Sequence, residues 1–233
     1  MTAIAPVPVN RKTRFVRPLA WLLLAGAAIA GALVLRSVLS GSEPPRQLDE
    51  LVRTLEADVQ KNPQDVQARL SVAAAYLERG LAESASAQFQ AALDLEPKNL
   101  TALIGLGRSQ RVSGDLASAK ANLEHVIELT KDDPVSGSSD ELQTVYFELG
   151  NMALESGDPA QAVSRLEEAL RLNGADADAW YVLGKAQKAA GDNAAAETAY
   201  LRAVALVPDF VEAYESMASL YEETGQTARR LYA

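Results

Sequence analysis

Beyond residue 47, the hydrophobic residues follow a pattern that repeats every 34 residues and is interrupted by one insertion. Each repeat has an apolar residue at position 7, Gly or Ala at 8, Gly at 15, Ala at 20, a large apolar residue at 24 and a small one at 27. Positions 20, 24 and 27 are spaced like one face of a helix, and a glycine separates them from the first half. The pattern predicts an all-α chain of helix pairs, whose repeats begin at Val66, Leu100, Gln143 and Ala177.

The small residues of the repeat fall where close helix packing or a turn requires them. Position 8 is Ala73, Gly107, Gly150 and Gly184, and position 15 is Gly80, Gly114, Gly157 and Gly191. Small residues at positions 8 and 20 would let the two helices of a pair cross closely, with the large residues at 7 and 24 filling the space beside the crossing. The glycine at 15 would end the first helix in a left-handed conformation, and the aspartate after it in three repeats would cap the second helix.

This pattern resembles the tetratricopeptide repeat (TPR), and the resemblance extends from about Leu48 to the C-terminus. It implies a right-handed solenoid of antiparallel helix pairs. The predicted parts are an N-terminal capping helix at 48–65, TPR 1 at 66–99, TPR 2 at 100–133, an inserted loop at 134–142, TPR 3 at 143–176, TPR 4 at 177–210, and a partial TPR 5 or C-terminal cap at 211–233.

The N-terminal region predicts a membrane anchor. From Pro18 to Leu35 there are 18 consecutive uncharged residues, which as a helix would span about 27 Å, enough to cross the hydrocarbon core. Four basic residues precede this stretch and only Arg36 follows it, and positive charge near a span stays on the cytoplasmic side. We therefore predict a basic cytoplasmic tail at 1–17, one transmembrane helix at 18–36, a linker at 37–47 and repeats outside the cytoplasm.

Two other interpretations of the apolar segment remain open. A cleavable signal peptide cut after Ala30 would export the same domain, but apolar sequence continues to Leu35. A buried core helix would be apolar on one stripe, whereas this segment is apolar all round. Within a membrane helix, Gly26 with Ala30 would let another helix approach closely.

Charge and composition narrow the class of partner. Residues 37–233 hold 17 basic and 31 acidic residues, a formal charge of −14, which repels phosphate backbones and argues against a nucleic-acid partner. The chain has no cysteine, which excludes disulfides, thiolate metal sites and a cysteine nucleophile. Its single histidine, His125, falls on a second helix with no Ser or Cys motif beside it. No catalytic, cofactor-binding or metal-binding residue is predicted, and the chain is not expected to be an enzyme.

The TPR resemblance places a binding groove on the concave face lined by the first helices. The predicted groove residues are Leu70, Ile104, Phe147 and Tyr181 at position 5, Arg108, Asn151 and Lys185 at position 9, and Arg111 and Lys188 at position 12. The apolar stripe and the basic residues together suggest a protein or peptide partner with apolar anchors, flanked by acidic groups or ending in a carboxylate. The other interpretation is that position 5 packs against the next repeat and the basic residues serve solubility.

The carboxylate clamp of chaperone-binding TPR domains, which needs Lys and Asn at positions 5 and 9 of the first repeat, is absent, because these positions are Leu70 and Ala74. The layout instead resembles two bacterial classes of exported TPR protein, those of c-type cytochrome maturation and the ancillary TPR protein of the Sec translocon. The expected function is a membrane-anchored adaptor that binds protein partners on the periplasmic side of the inner membrane. The alternative is a structural accessory subunit of a membrane complex.

Overall fold

A computed structural model describes residues 44–131 and 139–225, and within these ranges it contains ten α-helices and no strand. In chain order the helices are α1 Pro44–Lys61, α2 Val66–Glu78, α3 Ala82–Leu95, α4 Leu100–Ser113, α5 Leu116–Thr130, α6 Ser139–Glu155, α7 Pro159–Leu172, α8 Ala177–Ala189, α9 Asn193–Leu206 and α10 Val211–Glu223. The predicted all-α architecture is confirmed for this part of the chain.

The predicted transmembrane helix at 18–36 and the tail at 1–17 lie outside the described residues, as do 132–138 and 226–233. Among the helices of the described ranges, none combines the length and the apolar character that a bilayer crossing needs. The chain divides into two compact units, Met1–Leu51 and Val52–Ala233. The first includes the beginning of α1, and the second carries the repeats.

Each repeat turns from its first helix to its second as the pattern predicts. The position-15 glycines have φ between 70° and 88°, and Gly225, in the same register of the partial repeat, has φ 68°. The aspartate that follows caps the second helix, as when Asp158 accepts a hydrogen bond from the Gln161 amide at 3.0 Å. Asp115 and Asp192 do the same at α5 and α9. The predicted turns are therefore confirmed. Glycine suits these positions because it adopts a positive φ without strain.

The first helices have caps that the sequence interpretation did not assign. Asp65, Asn99 and Asp176 each accept a hydrogen bond from the amide three residues on, at 2.9 to 3.1 Å. Each begins the first helix of a repeat, and together with the second-helix caps they satisfy amides that a helix otherwise leaves unpaired. Side-chain caps therefore mark both helices of the second and fourth repeats.

Two boundaries differ from the sequence prediction. Helix α6 begins at Ser139, so residues 139–142, assigned to the inserted loop, are the first turn of a helix. Asp140 and Glu141 lie in that turn, where their negative charge favours the helix N-terminus. Helix α1 begins at Pro44, inside the predicted linker, and ends at Lys61 shortly before Pro63, which disfavours further helix.

The helix pairs cross at the small residues. A Cβ built on Gly150 would lie 2.6 Å from Leu166 Cγ, and one on Gly184 would lie 2.6 Å from Tyr200 Cε1. Leu166 is fully buried and Tyr200 is only 1% exposed. The large residue at position 24 therefore occupies the space that the missing side chain at position 8 leaves open, as the pattern predicts.

Contacts between helices show which face each one occupies. Every first helix from α2 to α8 contacts the next first helix, and α8 contacts α10 in the same way. The second helices α3, α5, α7 and α9 contact only their sequence neighbours within the described residues. Because the first helices approach one another and the second helices do not, α2, α4, α6, α8 and α10 form one continuous side of the stack, called here the inner face.

Candidate functional site

Two hollows open on the inner face. The N-terminal hollow, of about 320 Å³, lies between α2, α4 and the start of α6. Its floor is apolar, with Leu70, Phe89 and Ile104 all less than 9% exposed. Its remaining lining residues are Ala74, Leu77, Glu78, Thr101, Gly105, Arg108, Asp140, Glu141 and Thr144.

The floor of the N-terminal hollow depends on Gly105. A Cβ at this position would lie 2.3 Å from both Cε1 and Cζ of Phe89, so the phenyl ring rests directly on the backbone of α4. Phe89 belongs to the second helix of the first repeat, and Gly105 is position 6 of the next repeat. The sequence interpretation treated Gly105 as an ordinary part of the repeat and did not assign this contact. Among the four repeats, only the first has phenylalanine at position 24, and the repeat that follows it has glycine at position 6. This combination is the sequence signal that would have predicted the contact.

The C-terminal hollow, of about 560 Å³, lies between α8 and α10. Tyr181 and Tyr200 form an aromatic wall, with ring centroids 6.0 Å apart at a tilted angle. Tyr181 also contacts Phe210, which does not line the hollow, with ring centroids 5.1 Å apart. Lys185 Nζ lies 5.5 Å from the centroid of Tyr181, a favourable cation–π distance. The other lining residues are Lys188, Ala189, Glu212, Glu215, Ser216 and Ser219.

The two predicted groove arginines are engaged within the protein. Arg108 Nε lies 3.0 Å from Glu148 Oε1, and Arg111 Nε donates to Glu148 Oε2 at 2.9 Å. Arg111 also donates from a terminal nitrogen to Glu155 Oε1 at 2.7 Å. The Glu148 side chain is only 5% exposed, and a buried charge is costly without partners. The two guanidinium groups balance this charge. These arginines join α4 to α6 across the insertion, a role that the sequence interpretation did not assign.

Lys188 is engaged in a similar way at the other end. Its Nζ donates to Glu223 Oε1 at 2.7 Å and lies 3.3 Å from Ser219 Oγ, which joins α8 to α10. The hydrogen bond from Lys188, followed by that from Ser219, holds the pKa of Glu223 below its usual value. Of the predicted basic groove residues, Lys185 has an exposed ammonium group and no ion pair within the described part of the chain.

The remaining predicted groove residues, Phe147 and Asn151, lie on α6 between the two hollows. Both are half-buried, and Asn151 Nδ2 donates to the Phe147 carbonyl at 3.2 Å. Phe147 packs against the core cluster that the third and fourth repeats share. The inner face therefore brings Leu70, Ile104 and Arg108 to one hollow and Tyr181, Lys185 and Lys188 to the other.

Acidic residues on the inner face were not included among the predicted groove residues. Glu78 and Asp140 line the N-terminal hollow, and Glu212 and Glu215 line the C-terminal hollow. Glu78 occupies position 13, and Glu212 and Glu215 occupy positions 2 and 5 of the partial repeat, all of which the TPR resemblance places on the concave face. Counting the acids at these positions would have shown that the face is not predominantly basic.

The structure assigns no chemistry to the remaining candidate residues. His125 is exposed on α5. Over residues 44–131 and 139–225, no group of three or more His, Cys, Asp or Glu side chains is arranged to hold a metal ion. The two hollows on the inner face are thus the places where the geometry favours binding.

Comparisons with known proteins agree with this architecture. The family model described as tetratricopeptide repeat matches residues 73–134, 147–210 and 183–229, which together span more than half of the chain. No curated protein matches the chain.

Solved structures with the same fold include two of MamA and one of YrrB, described as a TPR protein with an unusual peptide-binding site. The first MamA structure is 24% identical over 69% of this chain and 82% of its own, with a TM-score of 0.57. The second is 18% identical over 79% and 95%, with a TM-score of 0.55. YrrB is 20% identical over 73% and 84%, with a TM-score of 0.55. With its helix pairs, left-handed glycines and repeat matches, the chain belongs to the tetratricopeptide-repeat family.

Proposed function

We propose that this protein is a membrane-anchored adaptor that holds a protein or peptide partner along the inner face of its TPR domain. The observation that carries the binding role is the pair of hollows on that face, one with a floor of Leu70, Phe89 and Ile104 and the other with the Tyr181 aromatic wall. Apolar floors with polar rims are typical of surfaces that anchor side chains of a partner. A TPR scaffold serves protein–protein interaction, and YrrB is described as having a peptide-binding site.

The proposed anchor is the apolar segment at 18–36, with the basic tail 1–17 in the cytoplasm and the TPR domain on the periplasmic side. The proposal rests on the uncharged stretch and on the asymmetry of basic residues around it. Its test is extraction of the full chain with alkaline carbonate and protease treatment of intact spheroplasts. We expect the chain to stay in the membrane and the TPR domain to be digested from outside. A chain released by carbonate would contradict the membrane anchor. A TPR domain protected from the protease would contradict the proposed orientation.

The binding role is tested by filling the hollows. Ala74 and Ala189 are exposed alanines that line the N-terminal and C-terminal hollows, so tryptophan at both positions would cover the apolar floor and wall without removing a native contact. The control carries Ala121→Trp and Ala194→Trp, two exposed alanines on the second helices α5 and α9. The measurement is crosslinking and affinity capture of full chains from native membranes.

We expect partners captured by the wild type and the control to be lost from the Ala74→Trp, Ala189→Trp variant. If the same partners persist when both hollows are filled, the inner face is not the binding site.

A structural accessory subunit is the second candidate, and exposed apolar residues at the C-terminal end favour it. Five exposed apolar residues lie on or between α9 and α10, with exposed fractions of 39% to 60%: Leu201, Leu206, Val207, Val211 and Tyr214. A permanent partner would cover such a surface. A structural subunit would aggregate when expressed without its complex, whereas an adaptor would be purified as a stable monomer.

A further inference from the structure

The rim of the N-terminal hollow carries an excess of negative charge. Glu78, Asp140 and Glu141 line it from α2 and α6, and Arg108 is the one basic residue in the lining. The Arg108 guanidinium is 3.0 Å from Glu148, so its charge is already balanced by a buried carboxylate. Glu78 and Asp140 are exposed and form no ion pair within the described ranges. The rim therefore presents the carboxylates of Glu78 and Asp140, which have no ion pair within the described ranges, around an apolar floor.

This arrangement opposes the hypothesis drawn from the sequence, in which basic groove residues would meet an acidic or carboxylate-ended partner. Arg108 and Arg111 are occupied by Glu148 and Glu155. An incoming carboxylate at this hollow would face the like charges of the rim, and the one basic residue of the lining already forms an ion pair with Glu148. A partner with basic residues meets the opposite charge at no such cost.

The shape of the floor limits what would enter. Leu70, Phe89 and Ile104 offer only hydrocarbon and a ring face, and the Phe89 ring is held against the backbone of Gly105. A polar side chain placed there would lose its water without gaining a hydrogen-bond partner from these three residues. An apolar side chain would bury its surface at no such cost.

We infer that the N-terminal hollow anchors an apolar side chain of a partner segment in which lysine or arginine flanks the anchor, with Glu78 and Asp140 as the residues that select the basic flank. The inference rests on the proposed function, because it assigns the partner chemistry at one of the two hollows. Charge complementarity at the rim raises the association rate and discriminates against acidic segments, and it weakens with salt because both acids are exposed.

The test uses the full chain in detergent and three labelled, amidated peptides. The first has a Leu-Phe pair flanked by lysines, the second has glutamates in place of the lysines, and the third keeps the lysines but has Ser-Asn in place of Leu-Phe. Binding is measured by fluorescence anisotropy at low and high salt. We expect the first peptide to bind about tenfold more tightly than either of the others at low salt, and the advantage over the second to shrink at high salt.

The selecting residues are tested by Glu78→Gln with Asp140→Asn, which removes two charges and keeps the side-chain shapes. The control is Glu167→Gln with Glu83→Gln, exposed acids within α7 and in the first turn of α3. The Glu78 and Asp140 variant is expected to bind the lysine-flanked peptide about tenfold more weakly, and the control to change binding less than about twofold. Equal effects of both variants would overturn the assignment of the rim.

The failures of the two proposals are distinguishable. If the glutamate-flanked peptide binds as well as the lysine-flanked one and Ala74→Trp abolishes both, the hollow binds but the charge inference is wrong. If Ala74→Trp leaves all peptide binding unchanged, the N-terminal hollow is not a binding site, and the proposed function then rests on the C-terminal hollow alone.

A fourth peptide with residues 10–17 of this chain, which carry Phe15 between basic residues, tests an occupant within the molecule. Tighter binding of that peptide than of the designed one would replace the external partner by the chain's own tail, and would also contradict the proposed topology, which puts the tail and the TPR domain on opposite sides of the membrane.

Discussion

At the scale of single residues, the structure depends on positions where a side chain is absent or a polar group is held out of water. Gly105 lets the Phe89 ring lie on the backbone of the next repeat, which forms the floor of the N-terminal hollow. Tyr200 fills the crossing beside Gly184 and forms part of the C-terminal hollow. The same residues thus serve packing between helices and the shape of the inner face.

Gly105→Ala should destabilise the domain by up to about 2 kcal/mol. Alanine favours a helix over glycine by about 1 kcal/mol, but its Cβ would overlap a buried aromatic ring and force a shift costing about 1–3 kcal/mol. Urea unfolding of the wild type and variant measures the difference. Gly174→Ala is the control, because its Cβ would lie 3.5 Å from the Leu170 carbonyl oxygen and meet nothing closer. An unchanged stability for Gly105→Ala would mean that the ring has room to move.

Alkaline pH should destabilise the fold through two tyrosines. Burial raises the pKa of Tyr200 to about 12, and burial together with a hydrogen bond to Glu56 raises that of Tyr76 to about 12, from the usual 10. A raised pKa means that the folded state holds the proton more tightly, so this stability is complete below pH 10 and is lost as pH rises from 10 towards 12. Thermal unfolding across this range should show the loss. Tyr200→Phe should reduce the slope, and a pH dependence identical to that of the wild type would contradict the assignment to Tyr200.

At the scale of helices, the junction between the second and third repeats differs from the others. The insertion separates α5 from α6, and the Arg108, Arg111 and Glu148 cluster joins α4 to α6 there. Glu148 is one of three buried polar or charged residues of the described chain. A buried carboxylate with two arginine partners therefore links helices at the point where the repeat spacing is broken.

Glu148→Ala should destabilise the domain by about 3 kcal/mol, because it leaves two guanidinium groups close together without their shared carboxylate. Glu155→Ala should cost less than about 1 kcal/mol, since its side chain is 45% exposed and its ion pair within the described residues is with Arg111. Chemical unfolding of both variants measures the contrast. If both substitutions lower the free energy of unfolding by similar amounts, burial does not make Glu148 more important to stability than the exposed Glu155.

At the scale of the whole molecule, the TPR domain is a linear stack in which each helix contacts near neighbours in sequence. Stability in such a stack is close to a sum of repeat and interface terms, so the ends depend on their caps. Helix α10 packs against the last full repeat, with Leu220 and Met217 against Tyr200 and Ala196.

Ending the chain at residue 210 should expose the last full repeat and loosen it locally. Leu220 is 2% exposed, and its removal with Met217 uncovers one side of Tyr200. We expect hydrogen exchange to accelerate strongly in α8 and α9 and to remain unchanged in α2 and α4, because the stack transmits the loss only through neighbouring interfaces. Uniform acceleration across all helices would indicate that the domain unfolds as a single unit.

The sequence by itself determined the helix pairs, their turns and the residues at their crossings. Gly157, Asp158 and Pro159 specify a turn and a helix start through local backbone geometry, and position 8 with position 24 specifies a crossing through side-chain volume. These features depend on residues close in sequence or on a period that can be read directly, so they were predictable. The length of the insertion was less predictable from the sequence, because Ser139 and Asp140 serve equally well in a loop and in the first turn of a helix.

Only the tertiary structure decided which charges on the inner face are available. Arg108 and Arg111 belong to the second repeat and Glu148 to the third, so their contact depends on how the repeats stack across an insertion that breaks the period. The acids of the N-terminal hollow likewise come from α2 and α6, which both pack against α4 and so line one hollow only in the folded stack. A repeating sequence specifies the position of each side chain on its own helix, but the balance of charge in a hollow is a sum over several helices, and that sum required the fold.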